Sequence, residues 1–364
     1  MRIKTITCHE VYNHGASLQE YALLRFLNDE GHEAQVIHYK PDYLSQHFNL
    51  WGVSNPKFNL PLIKQAYLLA KLPKRLKALK RKHNFDTFHQ KYIPTDSTKY
   101  TTNEELKSNL PKADAFICGS DQIWNSFFQN GKDEAFYLNF VPDHKKKISY
   151  AASFAIDELA ENMKALVRDN VSRFDAVSVR ETSGQTILID MGITSAVQVL
   201  DPVFLLDADF WKNTFVKPIA EPYIFVYDFD NNPLIKSIAL DLKQKLNCKI
   251  YTVNQNIAYA DKNFWLEGPE QFLSLVYQSQ YNITNSFHAV AFSLLFEKQM
   301  AVVNRGEAIN TRMRDLLSLF GLQKRLISSK EDFDSLSTID YAEVIGNKNF
   351  HITRSKEFLL QSLR

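Results

Sequence analysis

The chain has 364 residues, about twice a usual domain, and its 45% hydrophobic and 23% charged content is that of an ordinary globular protein, which predicts two domains and excludes a disordered chain. A formal net charge of +2 is too small to point to nucleic acid. Cys8, Cys118 and Cys248 form no CxxC pair, so the cysteines exclude a disulfide framework and suit a reducing, cytoplasmic setting.

The opening run Met1–Ile6 is too short for a signal peptide, and no run of about 18 apolar residues predicts a membrane span. Ile3–Cys8 reads as a strand and His9–Ala16 as a polar loop. Ser17, with Glu20 three residues on, reads as the capping box of a helix that Gly31 stops. Ala34–Tyr39 returns as a strand, and this βαβ opening predicts a parallel sheet. Residues 43–110 interrupt the pattern as a helical insertion, with a helix from Leu62 to about Tyr92 and a kink at Pro73. Strands then follow at Asp114–Cys118, Ile148–Ser153, Ala176–Val179 and Ala196–Leu200, with helices at Leu159–Asn170 and Glu181–Met191.

A second α/β unit reads as strands Tyr223–Tyr227, Lys249–Val253, Tyr281–Thr284 and Ala301–Asn304. Helices lie between them at Leu234–Leu246, Glu270–Gln278 and Phe287–Phe296, and the chain ends in a helix. The predicted organisation is residues 1–210, residues 211–346 and a C-terminal helix over 347–364, with the boundary near Pro218 and Pro222. Two facing α/β units put a cleft at the C-terminal ends of both sheets, so residues just after strands are the candidates for function.

Five such segments stand out. Asn13-His14-Gly15-Ala16-Ser17 leads into a helix N-terminus, whose free N–H groups favour an anion. Gly119-Ser120-Asp121-Gln122-Ile123-Trp124-Asn125 sets polar side chains and one indole after a buried strand, a mixture that suits a sugar. Asn285-Ser286-Phe287-His288 opens an apolar helix and puts a histidine in its first turn. Arg305 beside Gly306, then Arg312 and Arg314, follow the next strand, and Arg180 follows Ala176–Val179; guanidinium forks match phosphate and carboxylate oxygens. Each segment also has a bland reading, as a turn, a cap, a core aromatic or a solvated charge.

From Lys64 to Lys82 there are eight Lys/Arg and no acid, interleaved with Leu68, Leu69, Leu72, Leu76 and Leu79. The favoured reading is a solvated basic face over a buried leucine stripe; the other is a surface that lies on an anionic membrane. No metal-binding spacing and no G-x-S-x-G elbow occur, so neither a metal nor a serine hydrolase is predicted.

Taken in order, these pieces resemble the polysaccharide pyruvyl transferase family: Asn13–Gln19, Phe116–Asn125, Tyr150–Phe154, Ser178–Glu181, Val199–Val203 and Thr284–His288. The resemblance implies an α/β, GT-B-like fold of two Rossmann-type domains around a central cleft. Residues 1–210 would take the acceptor and 211–346 the donor. It implies transfer of pyruvate from phosphoenolpyruvate to a sugar of a cell-surface or exopolysaccharide precursor as a cyclic ketal, with phosphoenolpyruvate as co-substrate and no cofactor. His288 would be the general acid. Arg180, Ser286, Arg305 and Arg312 would bind the donor, and Asn13, His14, Gly15, Ser120, Asp121, Gln122 and Trp124 the acceptor, with Asp121 also a candidate base. The family often carries Arg-x-His where this chain has Ser286-Phe287-His288, so one anion-binding arginine is missing here. The partners implied are a saccharide, free or lipid-linked, and no nucleic acid; the place expected is the cytoplasm, and the basic stretch 64–82 leaves a peripheral contact with the inner face of the membrane open as the second reading. Two rival readings stay open: a nucleotide-sugar glycosyltransferase of the same fold, with Glu307 near the ribose position, and a non-catalytic sugar-binding protein.

Overall fold

The structure, a computed structural model, describes residues 1–45, 61–306 and 310–364. Glu307 therefore lies outside the described residues. The first sheet holds β1 (Arg2–Ile6), β2 (Glu33–Tyr39), β3 (Thr95–Tyr100), β4 (Ala115–Cys118), β5 (Lys146–Ala152), β6 (Ala176–Val179) and β7 (Val197–Gln198), in the order β3-β2-β1-β4-β5-β6-β7. The second holds β8 (Tyr223–Tyr227), β9 (Lys249–Thr252), β10 (Lys262–Asn263), β11 (Asn282–Thr284), β12 (Met300–Val303) and β13 (Leu326–Ile327), in the order β10-β9-β8-β11-β12-β13. Every pairing is parallel, as short β-branched and aromatic runs separated by helices require. The fold is α/β and GT-B-like, with two Rossmann-type units.

Each sheet reverses its strand order once, between β1 and β4 and between β8 and β11. Such switch points open a crevice at the strands' carboxyl ends. Five helices matter to what lies there: α1 (His14–Asp29), α2 (Pro61–Tyr92), α3 (Phe287–Leu295), α4 (Thr311–Leu319) and α5 (Tyr341–Ser362). The last returns to the first unit, where the Leu200 N–H donates to Ser355 Oγ at 2.9 Å and Phe358 lies against Tyr150.

Three local readings need correction. Helix α1 is capped by Asn13, whose side chain accepts from the Gly15 and Ala16 N–H groups, so it starts four residues earlier than the Ser17–Glu20 pattern suggests. Asparagine caps as well as serine, and Ser17 and Glu20 are instead taken by the buried histidines His89 and His9. The stretch 43–110 is not only a helical insertion: α2 is the crossover from β2 to β3, which extends the sheet at its edge. That strand, Thr-Asp-Ser-Thr-Lys-Tyr, is polar because an edge strand exposes most of its side chains. The leucine stripe of α2 is not buried. Leu69 is 70% and Leu76 51% exposed, while Leu68, Leu72 and Leu79 are half-exposed. Among the described residues no helix is long and apolar enough to cross a membrane.

Candidate active site

The residues that follow the strands at both switch points meet around one cavity of about 450 Å³. Cys8, Val11 and Asn13 come from the segment after β1, and Asp121 and Gln122 from the loop after β4. The second unit supplies Phe229 after β8, Asn285–His288 after β11, Arg305 after β12 and Arg312 from α4. Sequence reasoning named most of these. It missed Phe229, although the same rule, a residue just beyond a strand end, would have found it.

Behind the cavity lies a buried charge cluster. The Asp201 carboxylate is fully buried and accepts from Arg180 Nη1 at 2.6 Å, from Ser120 Oγ at 2.9 Å and from the Val203 N–H at 3.1 Å. His288 Nε2 stands 3.5 Å from Asp201 Oδ2, an electrostatic distance longer than a good hydrogen bond. Burial pushes the Asp201 carboxyl up, but His288 and Arg180 outweigh it and hold the group well below the usual carboxylate range. Glu181, also fully buried, is pushed up by burial against the pull of Arg180, and its carboxylate accepts from Ser153 Oγ. Asp201 and Glu181 are the residues that sequence reasoning left out of the site. The signal was present in Val199-Leu200-Asp201-Pro202, an acid directly after an apolar run.

Phe287 divides the arginines. Its ring lies 4.4 Å from the Arg180 guanidinium carbon and 5.6 Å from that of Arg312. Arg180 has its two acids. Arg312 is 8% exposed and its Nε meets no acceptor; no ion pair or hydrogen bond reaches its guanidinium among the described residues. Burial first, then the charge of Arg180, lower its pKa to about 10, so it stays charged near neutrality. A buried, charged guanidinium that lines a cavity and forms no ion pair among the described residues is suited to an anion. Arg305 joins it at the cavity wall, with its Nε 3.8 Å from Asp230 Oδ1 and its guanidinium over Phe229. Arg314 points away, forked onto Asp157.

Gly15 has a steric role. A Cβ built there would fall 2.0 Å from His288 Nδ1, so the first turn of α1 presses directly on the imidazole from the other unit. The neighbouring His14 is buried in the seam between the units. Its ring stacks on Phe272 at 5.3 Å and its Nε2 lies 3.2 Å from the Glu267 carbonyl oxygen. Burial, and then Arg81, lower its pKa well below the ordinary value.

Four residues predicted to face an acceptor do not line the cavity, Gly15 among them because it is packed against His288. Trp124 is fully buried, stacked on Tyr137 at 5.4 Å, and its indole N–H donates to the Phe136 carbonyl: it is core. Ser120 is turned inward to Asp201 and Arg180, and His14 is packed as described. Asp121 and Gln122 do face the cavity, and Asp121 holds a left-handed φ of 78°, a strained conformation for a residue with a Cβ.

A sequence profile of the family described as polysaccharide pyruvyl transferase matches residues 13–307. The chain belongs to this family. No curated protein matches it. Among solved structures it is similar to the UDP-GlcNAc 2-epimerase of Neisseria meningitidis bound to UDP-GlcNAc, with a TM-score of 0.51 at 11% identity, covering 100% of this chain and 99% of that one. It is also similar to the UDP-N-acetylglucosamine 2-epimerase of Rickettsia bellii, with a TM-score of 0.50 at 11% identity, covering 100% of this chain and 96% of that one. At such identities the likeness shows the fold alone, and the fold is the GT-B-like one.

Two outcomes test this site. Gly15→Ala must move the imidazole or the helix, so it should destabilise the protein by about 1–3 kcal/mol in a denaturant melt and shift the His288 ring resonances; unchanged resonances would mean the contact is not made. A depressed carboxylate contributes stability above its unfolded pKa and loses it as pH falls. The stability gap between wild type and Asp201→Asn should therefore narrow by about 1 kcal/mol from pH 5 to pH 3. A gap that stays constant over that window would show that Asp201 is not held ionised.

Proposed function

We propose that this family member transfers the pyruvyl group of phosphoenolpyruvate to two hydroxyls of a sugar in a polysaccharide precursor, forming a cyclic ketal. The observation that carries the proposal is the buried Arg312, which no ion pair reaches among the described residues, in the same cavity as His288 and in a chain of the pyruvyl transferase family. Phosphoenolpyruvate is a small polyanion, and a cavity with two guanidinium groups at its wall suits its phosphate and carboxylate. Ser286 is short and leaves room beside them.

The chemistry is acid-catalysed addition followed by loss of phosphate. His288, as imidazolium, gives a proton to the methylene carbon, and a sugar oxygen bonds to the adjacent carbon. The proton of that hydroxyl restores the imidazolium, directly or through water. The C–O bond to phosphate then breaks, and a second sugar hydroxyl closes the ring and releases its proton. Arg312 and Arg305 take up the charge that gathers on phosphate. Asp121 and Gln122 serve as hydrogen-bonding groups for the acceptor, and Asp121 as the candidate base. No prosthetic group enters these steps.

The test is phosphate release from phosphoenolpyruvate in the presence of a panel of saccharide acceptors. Acceptor-dependent release is expected, reduced at least about 100-fold in His288→Ala. Arg312→Ala should raise KM for phosphoenolpyruvate more than it lowers kcat. Binding of a nucleotide sugar, with sugar transfer and no enolpyruvate turnover, would overturn the reading in favour of a glycosyltransferase.

The acceptor is proposed to be lipid-linked. The support is the surface of α2, where exposed Ile63, Leu69 and Leu76 lie among Lys64, Lys71, Arg75, Lys77 and Lys80. An apolar stripe with flanking cations suits an anionic bilayer surface. Vesicles containing anionic lipid should sediment the protein at low salt and release it at high salt, and Leu69→Ser/Leu76→Ser should weaken retention at both. Equal recovery with neutral and anionic vesicles would remove the membrane contact.

A further inference from the structure

Outside the cavity, the largest concentration of unexplained chemistry is a histidine pair at the back of the same loop. His9 follows β1 and His89 lies near the end of α2; both are buried, with ring centroids 5.4 Å apart. Among the described residues, His9 Nε2 and His89 Nδ1 are each enclosed and meet no hydrogen-bond partner. Glu10 Oε1 lies 3.7 Å from His9 Nε2, and one ligand atom each of His9, Glu10 and His89 lie within 4.8 Å of one another.

The other nitrogen of each ring is taken. His9 Nδ1 is 2.7 Å from Glu20 Oε1, and His89 Nε2 is 2.8 Å from Ser17 Oγ. If both rings are neutral, His9 carries its proton on Nδ1 and donates to Glu20, and His89 carries its proton on Nε2 and donates to Ser17. Each ring then turns a bare lone pair toward the same small space. Metal-binding histidines are held this way, with the far N–H fixed by a carboxylate or another acceptor. Nearby charges suit a cation: Glu10, Glu20 and Asp86 bear on the two rings, against Lys40, which pairs with the other oxygen of Glu10. The edge of His38 also meets the His9 ring, at 5.6 Å between centroids.

We propose that His9 Nε2, His89 Nδ1 and a Glu10 carboxylate oxygen form a binding site for a divalent transition-metal cation of the zinc type, with a fourth position left for water. Two imidazoles and one carboxylate are a donor set for zinc and its neighbours rather than for magnesium or calcium. Tetrahedral bonds of about 2.1 Å put ligand atoms roughly 3.4 Å apart, so closure needs the ligand atoms to draw together by at most about 1.4 Å. The site joins the segment that lines the cavity, residues 8–13, to α2, elements far apart in sequence. That separation is why no ligand spacing was visible in the sequence.

The test uses the full-length protein, stripped with chelator and dialysed, and titrated with zinc chloride by calorimetry. One equivalent should bind, and zinc should raise the melting temperature. His9→Gln and His89→Gln should each weaken binding at least about 100-fold, and Glu20→Gln about 10- to 100-fold through the orientation of His9. Should a histidine variant not fold, Glu10→Gln, at a half-buried position, should still abolish the zinc-dependent rise in melting temperature. Cobalt(II) added to the stripped protein should give ligand-field bands without thiolate charge transfer. Wild-type binding no tighter than that of the His9→Gln/His89→Gln double variant, or of Glu10→Gln, would overturn the site and leave the pair as an imidazolium held between Glu20 and Glu10. Neither result depends on phosphoenolpyruvate turnover.

Discussion

The Asp201 carboxylate is the constraint on which the site depends. It is fully buried, and a buried charge is tolerable only when its partners surround it. Those partners come from separate parts of the chain: Ser120 from the loop after β4, Arg180 from the end of β6, and His288 from α3 in the other unit. Removing Arg180 would leave the carboxylate with uncompensated charge in a medium that cannot screen it, and removing Ser120 would leave it short of a hydrogen bond. The carboxylate therefore fixes where the two units meet, and it orients the imidazole on one side while Gly15 confines it on another.

The same bookkeeping explains why the two buried arginines differ. Arg180 spends its charge internally on Asp201 and Glu181. Among the described residues Arg312 forms no ion pair, although it sits just across Phe287, and Asp121 and Glu181 act on it only from farther off. A desolvated cation beside a second one is unfavourable, and the lowered pKa of Arg312 expresses it. An anion bound in the cavity relieves that state; an apolar ligand does not. The missing arginine at Ser286 is therefore no loss of positive charge in the cavity, because Arg305 and Arg312 reach the wall from the next strand and helix.

Much of this was legible in the sequence because parallel strands read as short apolar runs and their carboxyl ends carry function. Ala176–Val179 and Tyr223–Tyr227 were read with the bounds they have. The misses have physical causes. The strand Thr95–Tyr100 is an edge, so its pattern is polar. Trp124 looked like a sugar platform because it follows Gly119-Ser120-Asp121, but the backbone reverses at Asp121, with φ of 78°, and sends the indole into the core. Asp201 was visible as a motif residue but not as an anchor, because only the fold shows that Arg180 and His288 converge on it. His89 had no signal at all: one of two histidines on a long basic helix, it acquires meaning only when His9 is placed against it.

The loop between β1 and α1 shows how the long helix bears on the cavity. Glu10 and Tyr12 hold left-handed φ angles of 52° and 55°, which side chains with a Cβ adopt only when the surroundings impose them. The surroundings here are largely one face of α2. Arg81 Nη2 donates to the Tyr12 carbonyl at 2.8 Å, the Tyr12 hydroxyl donates to Asp86 at 3.1 Å, and His89 stacks on His9. Arg81 also reaches the Trp265 carbonyl of the second unit, so the helix grips both units at once. The outer surface of α2 carries the exposed leucines and lysines, while its inner surface sets the backbone that presents Cys8, Val11 and Asn13 to the cavity. A force on the outer face of this helix, from a bilayer or any other partner, therefore acts through Arg81, Asp86 and His89 on the cavity wall itself.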